Sequence, residues 1–443
     1  MPMADPWRRV SCVPPGAATA ASKRPPSRSL LAEIATDAPW EATVDAFRSR
    51  NPRRTDRIAD YERLLAGGDH LRVGDAVLAG RYQPAPPDEV WLNKVDGRKK
   101  RVFSYGPTDE LLFRVVHRLI QPLASEAASP WCRSFLPGGG ARAAFRCVLS
   151  DPDAGSKSAL RLDVRDYFNS IDVEDLLRGL PGAFTEGALG ALLQTSLRDR
   201  RVRRRGAVVD GGPKGVMAGT PVAPLLATLY LRDVDDEVAA TGATYARYSD
   251  DIVALAPPGE LASVERLVRR RLAERALVVN EEKSSVARPG EPWDFLGFRY
   301  AHGSIALAPV TERKLKARTT RLARSLLRWR ERTGASGERA TGAFVRRTNL
   351  RLYGVPAGRA EFSWATWFLP MLGSPAGLDA LDAHVRREAR YAATGRRTAR
   401  TIRDVPYTAL AGAGHLPLVA AYWAMRDGVV AYDALVRRRT GLA

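Results

Sequence analysis

Residues 245–255 read Tyr-Ala-Arg-Tyr-Ser-Asp-Asp-Ile-Val-Ala-Leu, which sets two adjacent carboxylates, Asp250 and Asp251, between short apolar runs rich in strand formers. Such a pattern predicts a β-hairpin with the acids at its tip. Upstream, Arg161-Leu-Asp-Val-Arg-Asp-Tyr-Phe-Asn-Ser-Ile-Asp172 ends another apolar run on a third carboxylate, Asp163. Three carboxylates from two strands suit a pair of divalent ions about 3.5–4 Å apart, the arrangement that clamps the attacking and leaving oxygens of an in-line phosphoryl transfer; hard oxygen ligands select Mg²⁺ or Mn²⁺. By itself an Asp-Asp pair in a turn is ordinary solvated turn chemistry. Asp166 and Asp172 compete for the third position, but strand alternation puts 163 and 165 on one face and 166 on the other. Asp166 is therefore expected to be a loop or salt-bridge carboxylate.

Composition narrows the partners. Lys and Arg exceed Asp and Glu by 69 − 49 = 20 in 443 residues, so a polyanion, nucleic acid first, is the expected partner. Part of that excess reflects the general richness in Ala, Arg and Gly. Cys12, Cys132 and Cys147 form no C-x-x-C pair, and the five histidines are scattered, so neither a disulfide framework nor a zinc site is expected. With no long apolar stretch and no signal-like leader, the expectation is a cytoplasmic protein that does not enter a membrane.

Along the chain, residues 1–36 read as a flexible basic leader and 37–158 as helices followed by a hairpin around Asp96-Gly97. A helix is predicted from Asp109 to about Leu123 and another from Ala141 to Leu149. Residues 159–303 alternate strand-like and helix-like pieces. Residues 304–443 are helical, starting with a long basic helix over Thr311–Arg332 and a Gly/Ser/Thr linker near 333–342.

The order of these features, a carboxylate strand at 163, a Gly/Pro-rich segment near 215–224, the Asp-Asp hairpin near 250 and a lysine at 283, resembles the bacterial reverse transcriptases, the group that includes group II intron, retron and defence-associated enzymes. The resemblance covers about 85–443 and is most specific over 160–300. It implies an α+β right-hand polymerase with fingers, a palm built on an antiparallel sheet, a helical thumb and a helical C-terminal extension. It also implies an RNA-directed DNA polymerase using two Mg²⁺ or Mn²⁺ ions, with dNTPs as substrates, an RNA template and a DNA product.

Carried over residue by residue, the resemblance gives Asp163 and Asp250 to the metals, with Asp251 tuning them. Lys283 protonates the leaving pyrophosphate, or is a surface lysine. Phe168 is a steric gate against the 2′-hydroxyl, or a core phenylalanine. Lys99 and Arg101 hold the triphosphate, and Ala218 and Gly219 line the nucleotide. Phe295, Leu296, Gly297 and Phe298 form the primer grip. Arg313, Lys316, Arg321 and Arg324 lie along the duplex backbone, or form a solvated basic face. One departure stands out: Met217-Ala218 occupies the place where the family commonly has Pro-Gln, so the usual side-chain contact to the incoming sugar is missing.

Within the group, the thumb lacks the retron Val-Thr-Gly signature, and no RNase H or HNH module is visible in the tail. A free-standing enzyme templated by a dedicated noncoding RNA, in anti-phage defence, is the expected branch. Two alternatives stay open: an idle RNA-binding scaffold with a polymerase fold, and template-free or protein-primed nucleotide addition. Oligomeric state has no signal in the sequence.

Overall fold

The computed structural model describes residues 31–93, 97, 99–354 and 363–428. They divide into two compact units between Pro289 and Gly290, upstream of the boundary at 303 that the sequence pattern suggests. Most of the leader lies outside the described residues, but its end does not behave as a leader. Leu31 and Ile34 are buried, and Trp40 Nε1 donates to the Ile34 carbonyl.

In the first unit, helices Asp37–Arg50, Thr55–Ala66 and Asp69–Leu78 precede the hairpin β1 (Asp88–Asn93) and β2 (Lys99–Ser104). Of its turn, Lys94 to Asp96 and Arg98 lie outside the described residues. The helix Pro107–Ala127 starts on a proline, whose missing N–H costs nothing in a first turn, and buries Leu111, Leu112, Val115, Val116, Leu119 and Ile120. The pair β4 (Arg201–Arg204) and β5 (Ala207–Asp210) completes a sheet of order β2-β1-β4-β5.

The second sheet carries the acids. Its strands β3 (Ser158–Asp163), β6 (Thr244–Tyr248), β7 (Asp251–Ala256) and β8 (Ser285–Ala287) run in the order β6-β7-β3-β8, each neighbour antiparallel. The register pairs Leu160 with Ala254 and Leu162 with Ile252, all four fully buried in the main core. Residues of the other parity, Arg161 and Asp163, face the opposite way together with Asp251, because side chains directly opposed across a ladder share a face.

The second unit has a three-stranded sheet, β9 (Trp293–Phe295), β10 (Phe298–Ala301) and β11 (Ser304–Leu307), then helices Pro309–Thr333, Gly337–Tyr353 and Leu378–Thr394. The linker expected near 333–342 is only Gly334 to Ser336. Gly334 takes a left-handed φ of 67°, and the Ser336 hydroxyl caps the next helix by accepting from the Arg339 N–H at 3.2 Å. Among the described residues, no helix is long and apolar enough to cross a membrane.

Candidate active site

Asp163 closes β3 and Asp251 opens β7 directly opposite it, and Asp250 sits in the turn between β6 and β7. The Val164 N–H donates to the Asp250 carbonyl at 3.0 Å, so the turn is stitched to the end of β3. Ser249, just before the acids, holds a left-handed φ of 61°. Burial raises the Asp250 carboxyl above its ordinary value, with the Asp163 charge adding to the effect. Burial likewise raises Asp251, to about 6, and repulsion from Asp250 adds to it while Arg161 opposes it.

Positive groups already attend these acids. Lys283 Nζ donates to both oxygens of Asp163, at 3.0 and 2.8 Å, and Asn280 Nδ2 donates to Asp163 Oδ1 at 2.8 Å. The Asn280 backbone N–H also reaches the Asp163 carbonyl at 2.7 Å. Arg161 Nη2 donates to Asp251 Oδ1 at 3.2 Å, while its Nε is buried without a partner.

The donor chemistry fits hard divalent cations. Asp250 and Asp251 are both raised, by burial first and by the neighbouring carboxylate charges next, which is a demand for positive charge. Arg161 already engages Asp251, and Lys283 engages Asp163. As arranged, though, no group of three or more His, Cys, Asp or Glu side chains among the described residues is poised to hold a metal ion, and Lys283 supplies the charge at Asp163. Cation binding and the Lys283 contact therefore compete for the Asp163 oxygens.

The competing carboxylates have other work. Asp166, exposed at φ 46°, accepts from Asn169 Nδ2 at 2.9 Å, and Asp172 caps the helix Val173–Gly179 through the Asp175 N–H at 2.9 Å. Phe168 is half-buried, with Phe135 and Tyr167 edge-on to it at 6.2 and 5.8 Å. Its carbonyl accepts from the Val216 N–H at 2.9 Å, and the Ala218 N–H donates to Asn169 Oδ1 at 3.1 Å. Phe168 and the 215–219 loop are thus joined backbone to backbone. At Gly219, φ is 107° and a Cβ would lie 2.8 Å from the Phe103 carbonyl, so the close approach is to strand β2. Ala218 shares in it: its carbonyl accepts from the Phe103 N–H at 2.8 Å.

On β2, Lys99 is exposed, whereas Arg101 lies over the Phe103 ring at 5.4 Å and within 3.8 Å of Glu89. Glu89 is a buried carboxylate that also receives Arg204 at 2.9 Å and the Trp91 indole N–H at 3.0 Å. These donors, Arg204 foremost, hold its pKa below the ordinary value even though burial opposes them.

In the second unit, Leu296 and Gly297 form a two-residue hairpin turn with φ of 51° and 90°, a left-handed pair that glycine at 297 makes accessible. Phe295 and Phe298 are fully buried, with Phe298 against Phe368 at 5.2 Å, so the two rings serve the core and only the turn can meet a ligand. Arg313, Arg321 and Arg324 are exposed on the long helix. Lys316 instead pairs with Glu312 at 3.8 Å and gives its carbonyl to His384.

Asn280, Arg161 and Glu89 escaped sequence reasoning. The signal for Asn280 was the Asn-x-x-Lys spacing that singled out Lys283, and for Arg161 its shared strand parity with Asp163. Glu89 had none, since its two arginines come from different strands.

Residues 99–300 match the family described as Reverse transcriptase (RNA-dependent DNA polymerase). No curated protein sequence is similar enough to this chain to count as a match. Among solved structures, apo telomerase from Candida Tropicalis, truncated from its C-terminal domain, aligns at 11% identity with a TM-score of 0.42. That alignment covers 51% of this chain and 56% of the telomerase chain, so the chain spans little more than half of that structure's length. The chain is an α+β protein, and the similarity of residues 99–300 to the reverse-transcriptase family goes with a right-hand polymerase fold.

Proposed function

We propose that the domain at residues 99–300 is a working RNA-directed DNA polymerase. The observation that carries this is the ladder register that sets Asp163 against Asp251, with Asp250 beside them and Lys283 on Asp163, inside a domain matched to reverse transcriptases. In the reaction a primer 3′-hydroxyl oxygen bonds to the α-phosphorus of a dNTP as its proton passes to solvent, the bond from the α-phosphorus to the α–β bridging oxygen breaks, and pyrophosphate leaves.

Asp163 and Asp250 would hold two Mg²⁺ or Mn²⁺ ions, which supply Lewis acidity toward the hydroxyl and charge neutralisation for the phosphates. Asp251, tied to Arg161, shapes the field around that pair. Lys283, once released from Asp163, carries a proton that the leaving pyrophosphate oxygen can take, help worth about 10²–10⁴-fold. Phe168 excludes the 2′-hydroxyl of rNTPs. Arg101, preset by Glu89, and Lys99 bind the triphosphate. The exposed Gly219 lines the nucleotide where the family's glutamine is missing, whereas Ala218, expected beside it, is buried with both backbone groups engaged and instead holds the loop to β2. Leu296 and Gly297 approach the primer end, and Arg313, Arg321 and Arg324 follow the duplex backbone, with Lys316 at their margin.

The same reading extends to a free-standing cytoplasmic enzyme of the bacterial group, templated by a dedicated noncoding RNA and acting in anti-phage defence. It also assigns residues 37–158 mainly to fingers, 159–303 to palm and 304–443 to thumb and extension. Purification with co-bound RNA, followed by labelled dNTP addition and product sequencing, tests both parts. RNA-dependent, Mg²⁺-dependent product with a single recurrent template supports them. Tight RNA binding with no incorporation contradicts the enzyme. One observation favours that second reading of an idle scaffold: Lys283 and Asn280 already engage the Asp163 carboxylate.

A further inference from the structure

The turn that presents Asp250 is held from behind by side chains that no part of the chemistry uses. Ser249 has the left-handed φ of 61° that a residue bearing a Cβ adopts only when its surroundings impose it. Both of its backbone polar groups are captured. Its N–H donates to the Ser134 hydroxyl, and its carbonyl accepts from Arg247 Nη1 at 3.2 Å. Ser134 and Arg247 are fully buried.

Arg247 is itself oriented from several directions. Its Nε and Nη2 both bond to the carboxylate of Asp235, each at 2.7 Å, and Asp235 is also fully buried. The Tyr245 hydroxyl adds a third bond to that carboxylate at 2.8 Å. Nη2 reaches the Thr228 carbonyl at 2.9 Å, on the helix Ala223–Tyr230 that follows the 215–222 loop. The Arg247 backbone is pinned to the segment before Ser134 as well, through Arg247 N–H to the Trp131 carbonyl at 3.1 Å and Arg133 N–H to the Arg247 carbonyl at 2.9 Å. The Ser134 hydroxyl is steadied by the Cys132 thiol at 3.3 Å.

An ion pair this deep is a poor device for stability, since the cost of desolvating two charges offsets most of their attraction. It is a good device for direction, because a bidentate guanidinium–carboxylate pair has one geometry. Three separate segments, at 132–134, 228 and 235, converge on one peptide unit, and that unit immediately precedes Asp250. Asp250 has its own carbonyl tied to Val164, so clamping Ser249 fixes the backbone from which its carboxylate projects toward Asp163.

We infer that Ser134, Asp235 and Arg247 are positioning residues that lock the Ser249 peptide and thereby aim the Asp250 carboxylate, coupling the nucleotide-loop helix to the catalytic turn. The inference rests on the polymerase reading for its kinetic consequence but not for its geometric one. A displacement near 1 Å at a reacting group costs about 10²-fold in rate, and that is the loss the clamp prevents.

The test uses the full chain with three variants: Ser134→Ala, Asp235→Asn, and the double Arg247→Met/Asp235→Leu, which replaces the buried pair with apolar side chains, a change that is often tolerated by folding. Expected for each variant that melts cooperatively is a kcat for dNTP addition lowered by about 10²-fold, with dNTP KM and primer–template affinity within about threefold of wild type. Mn²⁺ alone, titrated by electron paramagnetic resonance without nucleotide, should bind about tenfold more weakly. If a folded double variant polymerises and binds Mn²⁺ as wild type does, the network is only structural and the inference is overturned. If kcat and nucleic-acid affinity fall together in step with the folded fraction, it is overturned as well. Should wild type itself add no nucleotide, the polymerase reading fails, and the Mn²⁺ titration alone decides the clamp: weaker binding in the variants sustains it and equal binding removes it.

Discussion

Replacing Asp251 with asparagine should stabilise the metal-free protein at neutral pH. Its carboxyl is raised from 3.8 to about 6, first by burial and then by the Asp250 charge, so holding it ionised in the fold is unfavourable. About two units correspond to roughly 3 kcal/mol between the charged and neutral forms, at about 1.36 kcal/mol per unit. The side chain is 23% exposed, so solvent screening trims this figure little. Because the folded-state pKa lies above the unfolded one, the favourable contribution of the protonated form is complete below about pH 4 and is lost as pH rises toward 6. Asparagine mimics the protonated form at every pH. The variant and wild type should therefore have equal stability below about pH 4, diverge between 4 and 6, and differ by about 2–3 kcal/mol above about pH 6.5. Urea denaturation in EDTA across pH 4–8 measures this directly. A variant less stable than wild type at pH 7.5, or a difference that does not change with pH, would refute the electrostatic account and give the Arg161 ion pair the dominant role.

Further outcomes follow from the same geometry. Phe168→Ala should raise incorporation of rNTPs relative to dNTPs in competition assays, because the half-buried Phe168 is bonded through its carbonyl to the 215–219 loop; unchanged sugar selection removes the gate. Arg101→Ala should raise dNTP KM several-fold while leaving primer–template affinity unaltered, and equal losses in both would sink the triphosphate assignment. The triple Arg313→Ala/Arg321→Ala/Arg324→Ala variant should flatten the slope of log affinity against log salt by about 2–3, at roughly 0.9 for each phosphate the protein no longer neutralises. An unchanged slope identifies a merely solvated face.

Elements with strong local patterns were legible in the sequence. The helix expected over Asp109–Leu123 is present as Pro107–Ala127, and Ala141–Leu149 has its predicted bounds, since apolar spacing decides both. The acidic hairpin was legible because strand formers flank it on both sides. Asp166 is a loop carboxylate as expected, though strand parity is not the reason: β3 ends at Asp163, and Asp166 lies beyond it with a left-handed φ of 46°. What pattern could not supply was partnership across the chain. Leu31 and Ile34 read as leader residues because their burial depends on helices that follow them. Phe295 and Phe298 look like ligand contacts until Phe368 covers one of them. Ser134 sits beside a Gly-rich stretch that reads as a simple break, and its role exists only because the residue before Asp250 arrives there from 115 residues away. The grip of Lys283 and Asn280 on Asp163 is of the same kind.

The central claim is that Asp163, Asp250 and Asp251 perform metal-dependent, RNA-templated DNA synthesis. The most direct measurement is dNTP incorporation with Mg²⁺ by the purified chain and its co-bound RNA, beside an Asp250→Asn/Asp251→Asn variant that melts cooperatively. The account predicts RNA-dependent incorporation by wild type, abolished by EDTA and by the double substitution, with RNA affinity retained. Incorporation that survives the double substitution, or none by either protein despite tight RNA binding, would contradict it.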